Sequence, residues 1–294
     1  MILPSELILN TDGSVYHLKL RPEQIAPTVI TVGDPGRVEQ VSKYFDKIYH
    51  KESHREFVSH TGELNGQMLT VLSTGIGTDN IDIVMNELDA LVNIDLKTRE
   101  VKNQLRSLDI IRIGTCGSLQ ANIPCDTFVL SSHGLGLDGL MPFYQTAMDT
   151  FELDILQALN DKIQLDKWLP IPAYLFSGSS NLLNHFANNA IFEQGITATC
   201  TGFYAPQGRI LRIAATVPDI LAKLAEFEGE NGLRISNFEM ETAGIYGLAK
   251  AMGHEALSCS VVMANRVEGK FSEQPGEMIE KLIETVLEMI LKKS

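Results

Sequence analysis

Short apolar runs rich in β-branched residues alternate along this chain with longer segments in which apolar positions return every three or four residues. The runs predict strands at residues 28–32, 68–73, 109–113, 127–131, 173–177, 196–201, 235–238 and 256–263. The helical-period segments predict helices at 37–44, 81–91, 152–160, 182–190, 219–228, 242–252 and 276–291. Several runs are apolar at nearly every position, the mark of strands buried on both faces. Strands alternating with helices point to an α/β fold, a three-layer α/β/α sandwich around a parallel or mixed sheet. No linker of Pro, Gly or Ser divides the chain, so one domain is expected over 1–294, with an N-terminal extension at 1–14. The charge-rich stretch at 93–107, NIDLKTREVKNQLRS, lies between a helix and a strand and is predicted to be a helical surface insertion.

A hydrophobic share of 44% against 21% charged residues supports a substantial core. The formal net charge of −13 argues against nucleic acid or an anionic membrane as the main partner, since both need a basic face. A small anion can still be bound if a few arginines converge. Cys116, Cys125, Cys200 and Cys259 form no CxxC pair, so they suggest neither a metal site nor a disulfide framework, and a reducing compartment is the simplest reading. The first residues carry no basic segment followed by an apolar run, and no stretch approaches the roughly 20 apolar residues that span a bilayer. A soluble, cytoplasmic protein is expected.

Ligands of open α/β sheets gather beyond the carboxyl ends of strands, and the unusual polar strings stand there. Gly33-Asp34-Pro35-Gly36-Arg37 follows the first strand and opens a helix, where glycine allows close approach and an arginine fork suits phosphate; a plain turn with a solvated Arg37 is the alternative. Arg112, in the string Ile111-Arg112-Ile113-Gly114-Thr115-Cys116-Gly117, interrupts an apolar strand and needs an anionic partner, either a protein carboxylate or a bound anion. Ser53-His54-Arg55-Glu56-Phe57 reads as surface or dimer interface unless a second subunit brings Arg55 to a neighbour's site. Glu239 and Glu241, two residues apart at a strand end, can point to the same side; one suits the two hydroxyls of a ribose, while Glu241 could equally compensate a helix N-terminus. In Phe203-Tyr204-Ala205-Pro206-Gln207-Gly208-Arg209, an aromatic face, an amide and an arginine match the edge of a uracil, or form an ordinary solvated loop. Ala264-Asn265-Arg266 closes the last strand. The isolated histidines show no spacing pattern and read as structural, with His17 the exception.

In this order, the strings V-Y-H-L-K-L, G-D-P-G-R-V-E, S-H-R-E-F, S-T-G-I-G, R-I-G-T-C-G, F-Y-A-P-Q-G-R, F-E-M-E-T-A and A-N-R resemble the hexameric-type nucleoside phosphorylase family, its uridine phosphorylase branch most closely. The resemblance runs from about Val15 to Leu291. It implies a single α/β/α domain around a mixed, partly barrel-like sheet, with a site built at a dimer interface. Phosphate would be held by Gly33, Arg37, Arg112 and Thr115, with Arg55 reaching in from the partner subunit. Ribose would be held by Met240 and Glu241, with His17 from the partner. Uracil would lie against Phe203, bonded by Gln207 and Arg209; Arg266 would support that loop, and Met263 and Ala264 would line the base pocket. Arg112, Arg209 and Glu241 would carry the chemistry. No organic cofactor is implied, only inorganic phosphate as co-substrate. Some members hold a potassium ion with Glu56, Ile76 and a serine; here Asn80 stands at the serine position, within Thr78-Asp79-Asn80.

The expected activity is therefore reversible, phosphate-dependent cleavage of uridine, and of deoxyuridine, to uracil and a ribose 1-phosphate, by a homodimer or a trimer of dimers. Purine phosphorylases of this type carry an aspartate near the Ala264-Asn265-Arg266 position, and nucleosidases have no need of three converging arginines. The competing readings are a purine phosphorylase or nucleosidase of the same fold, and a non-catalytic nucleoside-binding protein.

Overall fold

Asp34 joins the first strand, β1 (Thr28–Val32), to the first helix, α1 (Pro35–Ser42). Its carboxylate accepts from the Gly36 amide at 2.8 Å, and Pro35 enters the helix with its φ already fixed. Then come β2 (Lys47–His54), β3 (Phe57–Leu64), β4 (Gln67–Ser73), α2 (Thr78–Asn93) and a small hairpin of β5 (Ile94–Asp95) and β6 (Glu100–Val101). Two long strands follow, β7 (Asp109–Ser118) and β8 (Phe128–Leu137), then α3 (Thr150–Ile163), α4 (Leu165–Trp168), β9 (Tyr174–Ser177) and α5 (Ser180–Ala187). The chain continues through β10 (Phe192–Cys200), α6 (Ile220–Ala225), β11 (Ile235–Glu239), α7 (Thr242–Met252), β12 (Glu255–Asn265), β13 (Lys270–Phe271) and α8 (Pro275–Lys292). This computed structural model describes residues 1–189 and 191–293.

Five strands close into a ring. β12 pairs with β8 antiparallel, β8 with β10 and β10 with β11 parallel, β11 with β7 antiparallel, and β7 with β12 parallel. From β7 the sheet extends through β1, β4, β3 and β2, giving 11 strands once β9 and β13 are included. It is a mixed sheet, partly barrel and partly open, as the motif resemblance implied.

All five residues of β1 are buried, and they alternate between two cores. Val29 packs with Ile81, Leu88, Ile245 and Leu248 of α2 and α7, whereas Ile30 and Val32 pack with Val38, Leu182, Phe186 and Leu282 of α1, α5 and α8. A strand covered on both faces can therefore be apolar throughout, which is why the sequence pattern was so legible. A third core, with Leu135, Leu159, Ile196 and Phe238, lies under α3 and α6.

Each predicted strand and helix is present, with β7, β8, β10 and β12 longer than expected and α6 shorter. The predicted helix at 182–190 ends at Ala187, and Ala190 lies outside the described residues. The stretch at 93–107 departs from expectation. It forms the β5–β6 hairpin and not a helix, because the Asp95 carboxylate accepts from the amides of Lys97 and Thr98 and closes a tight turn that Arg99 leaves at a φ of 57°. Among the described residues no helix is long and apolar enough to cross a membrane.

Candidate active site

The ends of β1, β7, β10, β11 and β12 surround a cleft of about 770 Å³. It brings together Gly33, Arg37, Arg112, Thr115, Phe203, Gln207, Arg209, Met240, Glu241, Met263 and Ala264, from five separate segments of the chain. Arg112 projects from β7 to the side that Ile110 faces, opposite Ile111 and Ile113 in the other core. That parity turns it toward the start of α7.

Arg112 is buried, and both carboxylates of the Glu239–Glu241 string meet it. Its Nη2 lies 2.5 Å from Glu241 Oε2 and 3.2 Å from Glu239 Oε2, while Nη1 donates to Ser260 Oγ at 3.1 Å. Burial opposes the guanidinium charge, but the two carboxylates outweigh it and hold Arg112 above its ordinary range. The internal salt bridge is thus present, and the same side chain lines the cleft.

The carboxylates divide their work. Glu239 accepts from the amides of Glu241 and Thr242, each at 2.9 Å, and from Thr199 Oγ1 at 2.5 Å. It caps α7, the task that was the alternative reading for Glu241. Glu241 takes the Gly77 amide at 2.8 Å on Oε1 and Arg112 on Oε2, and burial pushes its carboxyl upward.

Arg37 is different. Its Nη1 donates weakly to the Ile113 carbonyl at 3.4 Å, its Nε is buried with no hydrogen-bond partner, and it makes no ion pair among the described residues. Burial, then repulsion from Arg112, lowers its pKa. The Asp34 carboxylate already occupies the Gly36 amide, so the positive charge of this turn is Arg37's own. A half-buried cation with an orphaned donor and a second arginine beside it has the charge and the free donor that binding an anion requires.

On the loop after β10, Arg209 stacks on Phe203 with its guanidinium 3.7 Å from the ring centre, and donates to Gln207 Oε1 at 2.6 Å and the Phe203 carbonyl at 2.7 Å. Burial and the neighbouring Arg266 bring its pKa down to about 10. Arg266 does not line the cleft; it donates to the Gln207 carbonyl at 3.0 Å and braces the loop from behind. The acids lining the cleft are Asp34, Glu56, Glu239 and Glu241, and none comes from this loop or from the end of β12. Cys116 lines it too, with burial pushing the thiol upward so that it stays neutral.

Two predicted residues lie elsewhere. Arg55 sits at the β2–β3 turn with a φ of 55°, its guanidinium 5.8 Å from the Tyr16 ring centre, and His17 is held by Glu87 at 2.7 Å. Neither lines the cleft. Glu56, Ile76 and Asn80 do line it and meet around Gly75, where an added Cβ would lie 2.3 Å from Asn80 Nδ2 and 3.0 Å from Glu56 Cγ. No step below involves a potassium ion. Ser260, the Gly77 amide and Phe271 were not singled out as site groups, and Glu239 was named only through its E-x-E spacing to Glu241, without a role of its own.

A family model described as the phosphorylase superfamily matches residues 27–292. The chain belongs to the phosphorylase superfamily. Within the superfamily, the structure is similar to that of a Trypanosoma brucei nucleoside phosphorylase described as showing uridine phosphorylase activity, with a TM-score of 0.89, 30% identity, and 98% of this chain and 100% of that one covered. A uridine phosphorylase of Thermococcus kodakarensis is 28% identical over 262 residues, covering 89% of this chain and 81% of that protein. One from Haemophilus influenzae is 28% identical over 263 residues, covering 87% and 88% respectively.

Proposed function

We propose that this phosphorylase cleaves uridine with inorganic phosphate, reversibly, to uracil and α-ribose 1-phosphate. The observation that carries the reading is the order of the side chains across the sheet. β10, β11, β7 and β1 are successive neighbours, and they present in turn Gln207 with Arg209, Met240 with Glu241, Thr115 with Arg112, and Gly33 with Arg37. Three strand spacings of about 4.8 Å put the ends of that row on the order of 14 Å apart. The row matches a base, a ribose and a phosphate laid end to end.

Charge then dictates the chemistry. Phosphate, drawn by the unpaired Arg37 and by Arg112, faces the ribose C1′ and attacks it as the bond to the base breaks. The sugar gains cationic character, and the electron pair leaves with the base. Attack opposite the leaving group inverts C1′ and gives the α-phosphate. Arg209, positioned by Phe203 and Gln207, stabilises the departing uracil anion, so no general acid is needed. Glu241 accepts from the ribose hydroxyls over the apolar Met240. Holding both reactants in line supplies much of the remaining acceleration.

Arg55 and His17 complete a neighbouring subunit's site in this reading. They lie together beside Tyr16, outside their own cleft, and the functional unit is a homo-oligomer built from such dimers in the cytoplasm, serving pyrimidine nucleoside breakdown and salvage. The test is release of free base from uridine, deoxyuridine, inosine and methylthioadenosine, with and without phosphate. Uridine loss that requires phosphate is expected. Cleavage of inosine with uridine left intact would overturn the base assignment, and cleavage without phosphate would make the protein a nucleosidase.

A further inference from the structure

We propose that Glu87, a residue of α2 outside the cleft, is a positioning residue that sets the ring of His17 for the nucleoside site; this rests on the reading that His17 serves a partner's ribose. Glu87 makes an unusually complete grip. Its carboxylate accepts from the His17 amide at 2.9 Å on Oε1 and 3.1 Å on Oε2, from the Leu18 amide at 2.8 Å, and lies 2.7 Å from His17 Nδ1. An ionised carboxylate only accepts, so the proton at this contact is on Nδ1. The other nitrogen, Nε2, is then the free end of the ring, and it has no hydrogen-bond partner among the described residues.

The rest of the surroundings fix the direction in which that nitrogen points. The Tyr16 ring meets the imidazole edge-on at 4.9 Å between centroids and the Phe57 ring at 6.3 Å. The His17 carbonyl accepts from His54 Nδ1 at 2.9 Å. Backbone, ring plane and tautomer are therefore all set before any ligand arrives, in a segment whose Val15 and Leu18 share a core with Val84 and Leu88 of α2. A clamp on the backbone alone would need only the two amides; the ring contact is what a positioned histidine requires.

The measurement is a double-mutant cycle of His17→Ala and Glu87→Ala, read as KM for uridine and KM for phosphate. His17→Ala and Glu87→Ala should each raise the uridine KM about tenfold, the scale of one lost hydrogen bond to a charged or ring group, with phosphate KM unmoved. The double variant should be no worse than His17→Ala alone. Glu87→Gln, which keeps an acceptor for the Leu18 amide and so preserves the fold, should show the same non-additivity with a smaller loss. Independent, multiplying effects, or a Glu87 loss that falls equally on phosphate, would make Glu87 a structural clamp and sink the proposal. An unchanged uridine KM in His17→Ala would instead bring down the shared-site reading, and the proposal with it.

Discussion

Replacing Arg37 by methionine separates the cost of a buried cation from its use. In the free protein Arg37 has an orphaned Nε, one long bond to Ile113 and repulsion from Arg112, so its removal takes away no ion pair. An unsatisfied buried donor costs about 1–3 kcal/mol, and methionine fills a similar volume without it. The melting temperature of the ligand-free protein should therefore hold or rise. Phosphate binding should collapse. A bidentate arginine–phosphate pair comprises two charge-assisted bonds of about 1.5–3 kcal/mol each, so kcat/KM for phosphate should fall about 10²- to 10⁴-fold. Two assays read this: uracil release against phosphate concentration, and melting with and without phosphate. Saturating phosphate stabilises a binding-competent protein by about 2.7 kcal/mol at a hundred times its Kd, and in Arg37→Met that shift should vanish. A variant that melts several degrees lower without phosphate, yet keeps its phosphate-induced shift, would show Arg37 to be structural and refute the reasoning.

Arg209→Ala should lower kcat about 10²- to 10³-fold while leaving phosphate KM nearly unchanged, since its partners are Phe203 and Gln207. In the unaltered protein Arg209 stays protonated at all pH values below its lowered pKa, so turnover should decline as pH rises through about 10; an equal loss of phosphate binding in Arg209→Ala would remove it from the base pocket. Gly114→Ala would place a Cβ 1.8 Å from Arg112 Nη1 and force the guanidinium off Glu241; turnover should be lost and stability should fall by about 3 kcal/mol, whereas unchanged melting and activity would mean that Arg112 can be held elsewhere. Co-expressing Arg37→Met with His17→Ala chains should restore activity beyond the sum of the two homo-oligomers, because a mixed dimer regains one intact site, about a quarter of all sites at random pairing. Activity equal to that sum would place His17 and Arg37 in the same cleft.

What the sequence made legible follows from how each element is stabilised. β1 and β12 were readable because they are covered on both faces, and α7 because its end, Gly253 at a φ of 77°, is a local signal. β2 and β3 were missed because their evidence is not local. β2 is an edge strand whose residues Lys47, Tyr49 and Lys51 face solvent in alternation with half-buried ones, while β3 buries Ser59, His60 and Thr61 against partners supplied by pairing. The Arg112 string announced a buried charge but could not say which anion it met, since Glu239 and Glu241 lie more than a hundred residues away. Arg37 offered only a turn. That it lacks a counter-ion, the fact on which its proposed phosphate role rests, exists only once β1 and β7 lie side by side.

The geometry of α2 bears on the proposal that a partner subunit completes the site. At its N-terminus the Gly77 amide holds Glu241 in the cleft, and ten residues on Glu87 holds His17. At about 1.5 Å per residue the two grips are on the order of 15 Å apart along a helix packed on α7. The helix that fixes Glu241 thus also keeps His17 away from it, and buried Ile81, Met85, Leu88 and Leu91 leave no freedom to close that gap. A ribose cannot reach both groups of a single chain. A dyad that sets the His17 surface of one subunit over the cleft of another would resolve the conflict with no movement in either, and it would do so for both sites at once, since a two-fold contact uses the same surface twice.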